Sequence, residues 1–363
     1  MELLPLHEFH QALQARFAVV SGCEVVAAYG DSSLEHQPLQ TTAGAADLSF
    51  RSRLCLTGTD RQKFLNGQVT NNLKDLPPGR GCYAALITAR GKMQSDLNIY
   101  ILENEILLDF EPGLSLAIAQ RLEKYVIAED VQIVDVAPLY GLLTLQGPKA
   151  AEALQRLGLD LTIPAEPFQF STSRTDSLGE IYIMNQPRTG RAGFDLFVPT
   201  ASLAAVADKL VAAARETGGG PVGWEALEMA RLEAGIPRFG VDIDETNLPP
   251  EAGLDDRAIS YNKGCYIGQE IIARIRTYGQ VAKSLRGLRL ESIGGTLPQK
   301  GEKLFLDGKD AGYVTSAAVS PSLGFPIALG YVRRQANQVG ARLQIGTPAG
   351  PGSATIVELP FRH

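Results

Sequence analysis

Two stretches of the chain share one hydrophobic phrase. LCLTGTDRQKFL (54–65) and LTLQGPKAAEAL (143–154) each place leucines two apart, then a glycine, then a run at helical spacing that ends in leucine. Period-two alternation marks a strand and period 3.6 marks a helix, so each stretch predicts strand, turn and short helix. Two strand-like runs around a turn follow each. They are YAALITARGKMQSDLNIYIL, joined at Ala89–Gly91, and EIYIMNQPRTGRAGFDLFVP. A periodic helix closes each, GLSLAIAQRLEKYV and ASLAAVADKLVAAARET, and in the second Leu203, Val206, Leu210 and Ala214 share one face. Strand, helix, strand, strand, helix is most of a ferredoxin-like β-α-β-β-α-β unit. Two in tandem predict a duplicated α+β body.

Beyond it, WEALEMARLEAGIPRFG predicts a helix closed by Gly235 and Pro237. VDIDETNLPPEAGLDD, with Pro249, Pro250 and Gly253 among acids, reads as a loop too polar for the core. From about Leu285 the pattern changes to short β-rich runs separated by glycines, which predicts a small antiparallel barrel or sandwich. The expected division is an N-terminal segment (1–46) packing on the second unit, a first α+β unit (47–138), a second (139–240), a linker (241–280) and a C-terminal β-barrel (281–363).

A length of 363 residues agrees with several cores. The net charge of −6 argues against nucleic acid as a general partner. The N-terminus resembles neither a secretory nor a transit peptide, and no apolar run is long enough to span a membrane. Cys23, Cys55, Cys82 and Cys265 are far apart, and the histidines lie at 7, 10, 36 and 363. This usage predicts a cytoplasmic protein with free thiols and no permanently bound metal.

The local chemistry is concentrated in NKGCYIGQEIIAR (262–274). Lys263 and a helix starting near Gly268 would both favour a thiolate at Cys265, and Tyr266 could stack on a flat ring. A free cysteine is equally at home in a core. Six acids in 242–257 give way to six bases in 263–289. The two segments either pair with each other or form a basic lip for an anion. Asp96, in QSDLNIYIL, shares a strand face with Asn98 and Tyr100. That face is either solvent-exposed or lines a pocket. Arg231 is a surface charge or a carboxylate clamp. No phosphate loop and no Ser-His-Asp set is present.

KGCYIGQE (263–270), FLNGQVTNNL and GKMQSDL resemble the YgfZ-like folate-binding proteins that support iron–sulfur enzymes. DLSFRSRLCLTG, RLEAG and GVDIDETNLPPEAGL resemble the aminomethyltransferase (T-protein) of the glycine cleavage system. The resemblance implies two joined α+β domains and a C-terminal barrel around a channel that holds tetrahydrofolate. It implies that Cys265 and Asp96 act chemically, and that Tyr83, Asp96, Arg231, Lys263 and Tyr266 contact the cofactor. Where the T-protein has GYTGEDG this chain has PRTGRAG, with Arg191 at an acidic position. Three functions follow as expectations. The first is a folate-dependent factor for iron–sulfur cluster assembly or repair, with cluster clients or assembly proteins as partners. The alternative is a folate-dependent aminomethyltransferase or demethylase. The third is a scaffold binding tRNA or a protein.

Overall fold

The computed structural model describes residues 1–160, 162–347 and 350–362; His363 lies outside them. Each leucine-glycine echo opens a repeat. The first runs strand Ser52–Thr57, helix Arg61–Gln68, strands Arg80–Ile87, Met93–Ile101 and Ile106–Phe110, helix Ser115–Glu123 and strand Gln132–Asp135. The second runs strand Tyr140–Gln146, helix Ala150–Gln155, strands Phe170–Thr175, Gly179–Asn185 and Gly193–Pro199, helix Leu203–Glu216 and strand Gly220–Pro221. Counted in chain order within a repeat, the strands of both sheets lie second, third, fourth, first, fifth. In the second sheet the N-terminal strand Gly44–Asp47 is inserted between first and fifth. Identical element order and identical strand order establish a duplication in three dimensions.

Each repeat holds one strand more than the pattern predicts, so the hairpins pair differently from the sequence alignment. Strand Ile106–Phe110 was missed because it is buried throughout and shows no alternation. Strand Phe170–Thr175 (FSTSRT) was missed because it is mostly polar and half-exposed. The face carrying Asn98 and Tyr100 is not solvated either. Both residues are buried, like Leu97, Ile99 and Ile101 on the other face. Helix Leu203–Glu216 buries Leu203, Val206, Leu210 and Ala214 in one cluster with Leu143, Leu145, Ile183 and Leu196 of the second sheet. Each leucine, isoleucine or valine among them contributes roughly 1.5–3 kcal/mol of transfer free energy.

By packing, residues 1–68, 72–84 and 97–230 form one unit, and residues 69–71, 85–96 and 231–363 form the other. The second contains a closed six-stranded barrel in the order Lys283–Glu291, Pro326–Arg333, Lys309–Val319, Lys303–Leu306, Arg342–Thr347 and Gly350–Val357. Alternate residues (Leu288 and Leu290, Ala328 and Val332, Leu343 and Ile345, Ala354 and Ile356) fill its interior.

The 241–256 segment departs from expectation. Asp242, Asn247, Pro249, Pro250, Glu251 and Ala252 are all buried. Burial is tolerated because the carboxylates are supplied with donors. Asp242 takes Arg231 Nη1 (2.5 Å), the Arg238 amide (3.1 Å) and the hydroxyls of Thr315 and Ser316 (2.6 Å each). Glu251 accepts the Leu248 amide at 3.0 Å. Among the described residues no helix is long and apolar enough to cross a membrane.

Candidate functional site

Lys263, three residues after Ser260, ties the cysteine loop to the Val69–Asn71 segment. Its buried ammonium donates to the carbonyls of Val69 (2.7 Å) and Asn71 (2.6 Å) and lies 5.0 Å from the centre of the Tyr266 ring. Thr70, wholly buried, donates to the Ala258 carbonyl (2.6 Å) and accepts the Ala85 amide (2.9 Å). Burial pushes the Tyr266 phenol up to about 12, so it stays a neutral ring at physiological pH. Between these two anchored side chains the chain bulges outward, and Cys265 is exposed. Its sulfur is therefore not a packing group.

Helix Gln269–Tyr278 starts immediately after, and Gly268 (φ +82°) lies at its N-terminus. A Cβ there would press into the Thr88 carbonyl and come within 2.8 Å of Ile87 Cδ1. Only glycine lets the helix start this close to the turn of the 85–96 hairpin. Two further bonds fix that hairpin: Met93 N to Asn247 O (3.0 Å) and Lys92 Nζ to Thr246 O (2.6 Å).

The basic lip does not form as an unpaired patch. Besides Lys263, Arg274 meets Glu270 (3.4 Å), and Arg276 lies 4.0 Å from the centre of the Tyr261 ring. Lys283 donates to Tyr313 Oη (2.7 Å), Arg286 to Asn337 Oδ1 (2.6 Å), and Arg289 lies 4.4 Å from the Phe325 ring centre. Every base of the run has a protein partner.

The first unit holds a polar network that the sequence reading missed. Asp109 Oδ1 accepts Arg51 Nε (2.7 Å), and its Oδ2 accepts Arg188 Nη2 (2.7 Å) and Asn98 Nδ2 (2.8 Å). Arg188 also grips Asp195, through Nε (3.1 and 2.9 Å) and Nη2 (2.6 Å). Asp195 accepts Thr144 Oγ1 at 2.8 Å, Arg51 reaches Glu111 at 2.9 Å, and Gln186 joins Asn98 to Tyr100. Burial would raise the Asp109 carboxyl, but the two guanidiniums hold it below the usual carboxylate range. Burial does push Asp195 up, because only one guanidinium opposes it. The one sequence signal was a lone acid inside an apolar strand, ILLDF.

Residues 6–263 match the family model of the GCVT N-terminal domain, and residues 283–362 match the glycine cleavage T-protein C-terminal barrel domain. The chain belongs to the glycine cleavage T-protein family. An aminomethyltransferase of Rubrobacter xylanophilus is 30% identical, over 98% of this chain and 93% of that protein. One of Saccharopolyspora erythraea is 30% identical over 98% and 97%. The crystal structure of glycine cleavage system aminomethyltransferase T from Bartonella henselae superposes with a TM-score of 0.89 at 26% identity, covering 99% of this chain and 98% of that one.

Within this T-protein family member the sequence-derived residues are distributed unevenly. Asp96, Arg231, Lys263, Cys265 and Tyr266 belong to the barrel-containing unit, and Tyr83 to the other. Asp96 and Tyr83 are half-buried, on strands Met93–Ile101 and Arg80–Ile87. Arg231 is buried against Asp242. Arg191, the residue singled out in PRTGRAG, is exposed and donates to Gln40 Oε1 at 3.2 Å. The arginine that enters the interior is Arg188.

Two outcomes follow for the motif. Cys23 and Cys55 are buried and Cys82 is half-buried, so limiting iodoacetamide on the native protein should label Cys265 first by peptide mass. Equal labelling of all four would contradict this arrangement. Gly268→Ala should lower stability by roughly 2–3 kcal/mol in urea titration, from left-handed strain plus contact with Thr88 and Ile87. An unchanged midpoint would contradict the close approach.

Proposed function

We propose that this T-protein family member binds tetrahydrofolate and moves a one-carbon unit by aminomethyl transfer. The observation carrying this reading is a TM-score of 0.89 with an aminomethyltransferase over 99% of the chain. The aminomethyltransferase relatives favour it over the iron–sulfur expectation. Tetrahydrofolate, when bound, supplies the N5 and N10 amines that carry the one-carbon unit. Its pterin needs fixed hydrogen-bonding groups in a sheltered place. The first unit offers Arg188, one of whose terminal nitrogens makes no hydrogen bond among the described residues, and the buried Thr189 hydroxyl, unpaired among them as well. Those groups suit a polar heterocycle.

In this reading the Asp96 carboxylate orients the amine of the donor and holds a proton near it. Tyr266, in the same unit as Asp96, supplies a ring surface. Arg231 and Lys263 are locked by Asp242 and by carbonyls, so they position the walls. Formation of methylenetetrahydrofolate from an aminomethyl donor tests the reading, with Asp96→Asn as the control that should lower kcat. Folate binding without turnover over a broad donor panel would overturn the transfer step.

One observation favours a second reading, a folate-dependent accessory factor for iron–sulfur proteins. Cys265 is exposed within KGCYIGQE. A thiol there is available to a client protein or a transient cluster. Complementing a deletion strain with Cys265→Ala tests it: lost iron–sulfur enzyme activities support it, and full rescue removes the thiol from the function. The bases of 263–289 that a nucleic-acid reading would use are held by protein groups, Arg274 by a carboxylate and the others by neutral groups.

A further inference from the structure

Arg188 is fixed as few arginines are. Nε and Nη2 are committed to Asp195 and Asp109, and its backbone amide donates to Gln146 Oε1 at 2.9 Å. The remaining terminal nitrogen, Nη1, makes no hydrogen bond among the described residues, and it is not among the buried atoms that lack a partner. The side chain keeps 14% of its surface accessible. A guanidinium clamped on one edge and open on the other is a pre-oriented donor, and its rotamer entropy is already spent.

The surrounding charges decide what it can receive. Arg51, Arg53 and Arg188 surround Asp109, Asp195 and Glu111, three cations against three carboxylates. A further anion would leave a buried cluster with a net negative charge, at a desolvation cost its single hydrogen bond would not offset. A neutral carbonyl oxygen meets no such penalty. The neighbouring Thr189 hydroxyl, buried and unpartnered among the described residues, marks a second unfilled polar position on the same loop. Asp195, gripped by the guanidinium, has little acceptor capacity left for an amino group. The loop therefore selects a ligand edge that accepts.

We propose that Arg188 is a specificity-determining residue that donates Nη1–H to a neutral carbonyl of the ligand. This rests on the folate reading, in which that carbonyl is the 4-oxo group of the pterin ring. No covalent step is involved.

The test compares folic acid with its 4-amino analogue aminopterin, in which an amino donor replaces the oxo acceptor. Binding to the full chain is measured by calorimetry. The unaltered protein should prefer folic acid by about tenfold or more, the worth of one charge-assisted hydrogen bond. In Arg188→Lys, which keeps the charge but loses the planar fork, the ratio should fall towards one. The wild-type ratio needs no variant, and the ligand-free melting curve of Arg188→Lys shows whether it folds. Equal wild-type affinity for the two compounds overturns the role of Arg188 while leaving folate binding intact. An undiminished ratio in the folded variant overturns it too. Binding of neither compound, with no binding of tetrahydrofolate either, overturns the folate reading and the carbonyl assignment together.

Discussion

Asp109→Ala is expected to cost about 3–5 kcal/mol of stability, because it leaves Arg51 and Arg188 as buried charges short of a counter-ion. Asn98 loses its acceptor as well. The penalty is dominated by the partners left behind. Asp109→Asn, which retains one acceptor oxygen, should fall between the two. Urea denaturation of the three proteins checks the order. A loss under about 1 kcal/mol for the alanine variant would mean that water reaches the cluster and screens it.

Asp242→Ala is the corresponding change in the other unit, with about the same expected cost, since Arg231, Thr315, Ser316 and the Arg238 amide all lose one acceptor. The same carboxylates fix the response to acid. Burial opposes ionisation of Asp242, but Arg231 and the hydroxyls outweigh it and lower its pKa from the ordinary 3.8. Asp109 is lowered in the same way. A depressed folded-state pKa gives stability that is complete above the unfolded value and lost as pH falls through the folded one. Stability should therefore hold down to about pH 4 and then decline. Asp195, whose pKa is raised, acts in the opposite sense, and its protonation on acidification favours the folded state. Denaturation midpoints between pH 3 and 7 check the sign for the wild type. They should show a shallower acid decline for Asp242→Asn. An identical decline would take Asp242 out of the acid response.

The sequence carried the parts of the fold that repeat a local rule. Leucine alternation followed by glycine exposed both repeat openings, and even glycine spacing exposed the barrel. It hid elements whose burial comes from tertiary context. Ile106–Phe110, buried on both faces, had no polar alternation to announce it. The 241–256 acids looked solvated because their partners, Arg231, Thr315 and Ser316, lie far along the chain. In the same way Lys263 read as an electrostatic neighbour of Cys265, whereas its ammonium turns to carbonyls nearly two hundred residues away in sequence. The exposure of Cys265 depends on the two anchored side chains that flank it, and its sequence neighbours alone do not encode that. Arg188 was passed over for Arg191 because a motif comparison aligns positions and says nothing about which of two arginines points inward.

The central claim is that the chain binds tetrahydrofolate. Its most direct measurement is the denaturation midpoint of the full chain across a titration with that compound. Selective binding to the native state should raise stability with the logarithm of free ligand, reaching about 2.7 kcal/mol at ~100 times the dissociation constant. A midpoint that stays fixed across the whole titration would contradict the account.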